Sequence, residues 1–171
     1  FFNRYTWLNI CLLAFLVLID IIFCMETKIP PPIVTLFFIF LISLSNRLIE
    51  PFSFEYQLPV GILIVVSGLA LLISAARVFK QLETTINPMD PSQASKLAII
   101  GPFKYTRNPM YLGMSIMLLG FGIIFGAKLT ICLLVLFVLY ITFFQIMPEE
   151  RAMQEKFDDW EEYTSKVRRW L

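Results

Sequence analysis

Apolar residues run through this chain in five long blocks, at positions 8–24, 30–49, 58–79, 109–126 and 129–147, parted by polar stretches. At ~1.5 Å per residue each is long enough for a hydrocarbon core of ~30 Å. In the second block only 33–45 is free of strong interruptions. The pattern therefore predicts an all-α, polytopic membrane protein with about five transmembrane helices. Ala127-Lys128 is a two-residue link between the last two blocks, so these should form an antiparallel helical hairpin. After Met147 the pattern turns amphipathic: Met153, Phe157, Trp160 and Val167 fall near one face, with Glu155, Asp158, Asp159, Glu161 and Glu162 on the others. That predicts a C-terminal amphipathic helix on the membrane surface. No stretch separates independent folding units and no internal repeat is apparent, so residues 1–171 read as one domain.

Composition agrees, since 58% of the residues are apolar, 15% aromatic and only 16% charged. A formal charge of +1 speaks against a nucleic-acid partner, and the placement of the charges says more than their sum. With 80–108 and the tail on one side, that side carries eleven Lys and Arg against three on the other, Arg4, Arg47 and Lys128. The positive-inside rule then puts the N terminus outside and both the connection and the C terminus in the cytosol. The first block reads as a retained helix, not a cleaved signal. Cys11, Cys24 and Cys132 lie in or beside apolar blocks and read as packing residues. Asp20 is an intramembrane carboxylate near the cytoplasmic end, where pairing with Lys28 or snorkelling explains it as well as function does.

The longest polar connection, 80–108, contains Pro88, Pro91 and Pro102 but also Ala98-Ile99-Ile100, Phe103 and Tyr105. Such surface would be wasted on a solvated linker, so the connection should fold back on the cytoplasmic helix ends. In the fourth block Gly122 and Gly126 have the spacing of a close helix contact. Gly113 shares a face with Gly120 but sits one turn inside the polar segment, where a missing side chain would leave room for a cofactor.

Chemistry concentrates in two patches. In the first, Asn108-Pro109 is what a helix start alone requires. A helix start does not account for Lys104, Tyr105 and Arg107 ahead of it or for Tyr111 inside it. A helix N terminus beside an arginine suits a carboxylate. The second patch is Pro148-Glu149-Glu150, where acidic residues in a first turn would stabilise a helix. Two carboxylates at the membrane boundary would equally hold an ammonium or balance a sulfonium. The tail Arg168-Arg169-Trp170 suits an anionic headgroup layer, and Glu162 with Lys166 makes an i,i+4 ion pair. The chain has no His, which removes a His base, His metal ligands and a His-containing triad; no metal is expected. No P-loop, Rossmann glycine run or G-x-S-x-G is present.

From Asn87-Pro88 to Trp170 the chain resembles the isoprenylcysteine carboxyl methyltransferase family, in its bacterial branch, and is similar to phospholipid N-methyltransferases. The resemblance rests on Arg107-Asn108-Pro109-Met110-Tyr111-Leu112-Gly113, on Glu149-Glu150, and on Phe157, Trp160, Tyr163 and Val167-Arg168-Arg169-Trp170. It implies a membrane methyltransferase domain in a bacterial inner membrane, with S-adenosylmethionine bound by motifs within 87–171. The implied cofactor-binding residues are Lys104, Tyr105, Arg107, Asn108, Pro109, Tyr111, Leu112, Gly113, Glu149 and Glu150. Implied partners are membrane lipids and a lipid-like or prenylated acceptor, an isoprenylcysteine-type carboxylate first and an aminophospholipid as the alternative. A sterol-reductase-like NADPH enzyme and a non-catalytic scaffold are the rival classes. Many members carry His where this chain has Asn108, so imidazole protonation is unavailable here. A carboxylate acceptor needs no base; an amine or thiol does, and the candidates are Glu149, Glu150 and Tyr111.

Overall fold

A computed structural model describes residues 29–83 and 95–171, and among these the fold is all-helical with no strand. The first block, with Cys11, Asp20, Cys24 and Lys28, and the Asn87-Pro88 stretch lie outside the described residues. In chain order the helices are α1 (Pro31–Ser45), α2 (Gln57–Leu82), a 3-10 turn (Gly101–Lys104), α3 (Pro109–Phe125), α4 (Thr130–Ile141), a π-helical turn (Thr142–Ile146), α5 (Met147–Lys156) and α6 (Trp160–Lys166). Two continuous helices have the length and apolar character to cross a membrane, Gln57–Leu82 and Thr130–Lys156.

Helix α2 is apolar on nearly every side. It leaves Leu58, Ile62, Leu63, Val66, Leu69 and Ile73 exposed, surface that suits lipid better than water. Its buried seam is made of small residues seven apart, Gly61, Gly68 and Ala75. This seam meets α3 at Gly120 and Gly113. A Cβ at Gly68 would lie 2.6 Å from the Gly113 carbonyl oxygen, and one at Gly113 would lie 2.7 Å from that of Gly68. The two helix backbones touch, which is how helices associate where lipid offers no hydrophobic driving force. The absent side chain of Gly113 therefore makes room for α2 and not for a ligand, a correction to the sequence reading.

Helix α1 adds Val34, Phe38 and Ile42, spaced by four, to a core with Tyr111, Met114, Leu118, Phe137, Ile141 and Ile146. Phe38 meets Phe137 edge to face at 5.4 Å. At one end of the bundle, Gly126 adopts φ +66° and closes α3: its N–H bonds the Ile123 carbonyl and that of Ala127 the Gly122 carbonyl, both at 2.9 Å. The spacing of Gly122 and Gly126 thus serves this turn and the contact of Gly122 with Thr130. Asn46 and Gln57 reach over to the last carbonyls of α3, Asn46 Nδ2 to Phe125 at 2.7 Å and Gln57 Nε2 to Ile123 at 2.8 Å. In this way the 46–57 loop is tied to the hairpin turn, and carbonyls left open at a helix end are satisfied.

The hairpin's second arm does not stop at Met147. The helix passes unbroken through Pro148 to Lys156, with the Met147 N–H bonding the Thr142 carbonyl five residues back. Within a regular α-helix the Pro148 ring would collide with the Phe144 carbonyl, and the wider π turn falls at that point. Glu149 and Glu150 are consequently far from any free helix N terminus, so the dipole explanation for them does not apply. In place of one amphipathic surface helix the tail forms two short ones, broken at Phe157. Their apolar residues still converge: Trp160, Tyr163 and Val167 are buried with Met153, Phe157 and Leu97 around them.

Candidate functional site

The polar connection folds back on the end of α2. Phe103 is buried and meets Phe79 edge to face at 5.3 Å, and with Ala98 it packs on Ala75 and Val78. Ile99 and Tyr105, expected to share this burial, are exposed, Tyr105 to 78%. Tyr163 of α6 donates a hydrogen bond to the Phe103 carbonyl at 2.8 Å. Burial pushes the Tyr163 phenol up to about 12, with Arg107 pulling the other way and Glu150 adding to the rise. It stays a neutral donor and acts as a strut.

The residues after the 3-10 turn are held by the C-terminal segment. Arg107 N donates to the Arg168 carbonyl at 3.0 Å, Asn108 Nδ2 to the Arg169 carbonyl at 3.0 Å, and Thr106 Oγ1 to the same oxygen at 3.3 Å. Thr106 Oγ1 also accepts from Asn108 N at 3.2 Å. Pro109 opens α3 as expected, but the Asn108 side chain makes no cap; it is spent on the tail. Trp170 Nε1 donates to Thr142 Oγ1, at the start of the π turn, at 3.3 Å. The tail expected in a headgroup layer is thus folded onto the site.

The two adjacent glutamates diverge, as neighbours on one helix must. Glu150 faces the tail. Arg107 Nη2 lies 3.3 Å from its Oε1, while Arg169 approaches Oε2 with Nη2 at 2.6 Å and Nε at 3.1 Å. The Arg107 and Glu150 side chains are each only 14% exposed, and the Arg107 guanidinium carbon sits 5.9 Å from the Trp160 ring centre. Arg107 Nε is buried without a hydrogen-bond partner. Around this triad opens a cleft of about 440 Å³ whose walls include Arg107, Glu150, Trp160, Glu161, Thr164 and Arg169. Glu149 faces the other way and accepts a hydrogen bond from the hydroxyl of Tyr111, whose ring is buried in the main core.

Of the sequence-predicted residues, the structure joins Arg107 to Glu150 and Tyr111 to Glu149, with Asn108 and Pro109 supporting the first pair. Lys104 and Tyr105 point out to solvent, Leu112 is half-buried, and Gly113 is a helix contact; none of the four borders the cleft. Sequence reasoning passed over Thr106, Trp160 and Arg169 as site residues. It also missed Gln145, fully buried in the π turn, which donates to the Ile29 carbonyl at 2.9 Å and leaves its Oε1 without a partner. A carboxamide inside an apolar block was the signal for it.

No solved structure matches this chain. An uncharacterized protein of Haemophilus influenzae is 40% identical over 63 residues, which is 36% of this chain and all of that protein. Residues 56–159, which hold α2, α3, the hairpin, both glutamates and the Arg107 motif, match the family described as phospholipid methyltransferase. This membrane protein belongs to the phospholipid methyltransferase family, within the wider group of membrane methyltransferases that also contains the isoprenylcysteine enzymes.

Proposed function

We propose that the protein is an integral membrane methyltransferase that draws on S-adenosylmethionine and modifies a lipid-like acceptor, with an amine head group as the favoured target. The observation that carries this reading is the division of one short helix segment into two half-sites. Glu150 belongs to a surface cleft rich in arginine, and Glu149 to a phenol–carboxylate pair at the apolar core.

The cleft fits a nucleoside that ends in a charged amino acid. Arg107 keeps a buried N–H without a partner, Trp160 offers an aromatic wall, and the arginines of the wall outnumber its carboxylates, which suits the carboxylate of the amino-acid end. When bound, S-adenosylmethionine supplies a methyl group activated by its sulfonium. The chain's own part is orientation, desolvation and proton handling. Glu150 fixes the Arg107 guanidinium, and Tyr111 fixes Glu149, which is placed to take a proton from an acceptor head. An amine acceptor has a proton to give up and a carboxylate acceptor has none, so the Tyr111–Glu149 pair is of use to the first and idle for the second. On that ground the aminophospholipid class displaces the prenylcysteine carboxylate that the resemblance put first.

In this reading the first block and the helices α1, α2, α3 and α4–α5 make five spans. Positive charge supports an orientation with the cleft and tail in the cytosol and the N terminus outside: Arg47 and Lys128 mark one end of the bundle, and Lys104, Arg107 and the tail mark the other. Thermal unfolding of the full chain in detergent tests the cofactor. Stabilisation by S-adenosylhomocysteine and not by NADPH is expected. The reverse pattern would move the protein to the reductase class, and no response to either would make it a scaffold.

A further inference from the structure

We propose that Arg169 is a positioning residue of the donor cleft, a second guanidinium that, with Arg107, holds the carboxylate of the donor's amino-acid end. This rests on the reading of the cleft as a methyl-donor site and adds to it a residue from the segment that follows α6.

The first support is charge. Arg107 and Arg169 converge on a single carboxylate, with Arg169 Nη2 and Nε at 2.6 and 3.1 Å from Glu150 Oε2 and Arg107 Nη2 at 3.3 Å from Oε1. The triad therefore carries one positive charge in excess. The rest of the wall does not cancel it, since Arg151 and Glu161 offset each other. With Arg107 and Glu150 only 14% exposed, that surplus is partly shielded from water and is best completed by an anion. The buried Arg107 Nε without a partner is donor capacity left over on the same group.

The second support is how firmly Arg169 is delivered. Its own carbonyl is held by Asn108 and Thr106, the carbonyl before it by Arg107 N, and the residue after it by Thr142. None of these four bonds uses the Arg169 side chain, so the backbone is fixed on the motif and the guanidinium is left for the cleft. At 38% exposure it sits toward the outer mouth, with Glu150 and Arg107 deeper at 14%. Two planar guanidinium forks at one opening match a carboxylate, which a single ammonium would grip less selectively.

Arg169→Ala and Arg169→Lys in the full chain test this by calorimetry with two probes: S-adenosylhomocysteine, which has the amino-acid end, and 5′-methylthioadenosine, which shares the nucleoside but lacks it. The alanine variant is expected to lose about tenfold or more in affinity for the first and to bind the second as the native chain does. Lysine should recover only part of the loss. Equal losses for both probes, or none, would overturn the proposal and leave the donor reading in place. A native chain that binds neither probe would instead sink the donor reading and this inference together. Should the alanine variant fail to fold, the lysine variant decides: a lowered ratio of the two affinities supports Arg169, and an unchanged ratio removes it.

Discussion

Glu149 and Glu150 show how much one residue of register decides. Their side chains leave the same helix about 100° apart, so one is committed to Arg107 and Arg169 and the other to Tyr111. The ion pair Glu162–Lys166 is a useful contrast, with side chains 70% and 67% exposed; the hydrogen bond from Lys166, and then its charge, lowers the Glu162 carboxyl, yet water screens most of the effect. Arg107→Ala and Glu150→Gln should each weaken binding of S-adenosylhomocysteine by about 1–3 kcal/mol, the worth of a charge-assisted hydrogen bond in a partly desolvated cleft. Glu162→Gln should leave it unchanged. Unaltered affinity in both cleft variants would detach Arg107 and Glu150 from the donor. At this scale the sequence named Arg107, Tyr111, Glu149 and Glu150, because polar residues against an apolar background stand out. Arg169 was hidden by its position. A basic residue beside a tryptophan in the tail reads as a membrane anchor until the hydrogen bonds of Asn108 and Thr106 show that the tail folds inward.

Among the elements, the pair α2 and α3 carries the bundle, and its strength comes from what is missing. Gly61 against Gly120 and Gly68 against Gly113 bring two backbones into contact twice, seven residues apart. Gly68→Ala would place a methyl group 2.6 Å from the Gly113 carbonyl, which is backbone and cannot swing aside. The expected cost is about 1–3 kcal/mol, seen as a lower unfolding temperature in detergent. Ser67→Ala, one residue earlier and exposed, should be silent. A neutral Gly68→Ala would mean that the two helices do not pack through this seam. Apolar length located these helices, and the spacing of Gly113 and Gly120 gave their shared face. The partner seam on α2 was not anticipated, because it needs the antiparallel register. Nor was the continuity through Pro148 legible: proline usually marks a helix start, and only the π turn at Thr142–Ile146 lets the helix continue past it.

Among the described residues, the candidate polar chemistry lies at one end of the bundle and apolar surface along the sides. The cleft of Arg107, Glu150 and Trp160 opens beside the tail, while Tyr111 and Glu149 abut the core beneath it. A bundle of so few helices encloses too little volume for both a cofactor and a whole lipid. A lipid acceptor should therefore keep its tail between helices in the bilayer and bring only its head to Glu149. A labelled-methyl panel of an aminophospholipid, a prenylated cysteine, a hydrophobic thiol or phenol and a short soluble amine tests this directly. The aminophospholipid is expected to lead and the soluble amine to trail; a leading soluble amine would rule out lateral access. The pH profile separates the chemistries. An amine must lose its proton to react, so its rate rises with pH until that proton is gone, while a carboxylate acceptor, already ionised, gives a rate nearly flat above pH ~6. With an amine acceptor, Glu149→Gln should lower the maximal rate by about 10²-fold, the usual worth of a positioned base, and leave S-adenosylhomocysteine binding intact, because Glu149 does not border the cleft. A flat profile together with a harmless Glu149→Gln would return the acceptor to the carboxylate class and reduce the Tyr111–Glu149 pair to a structural contact.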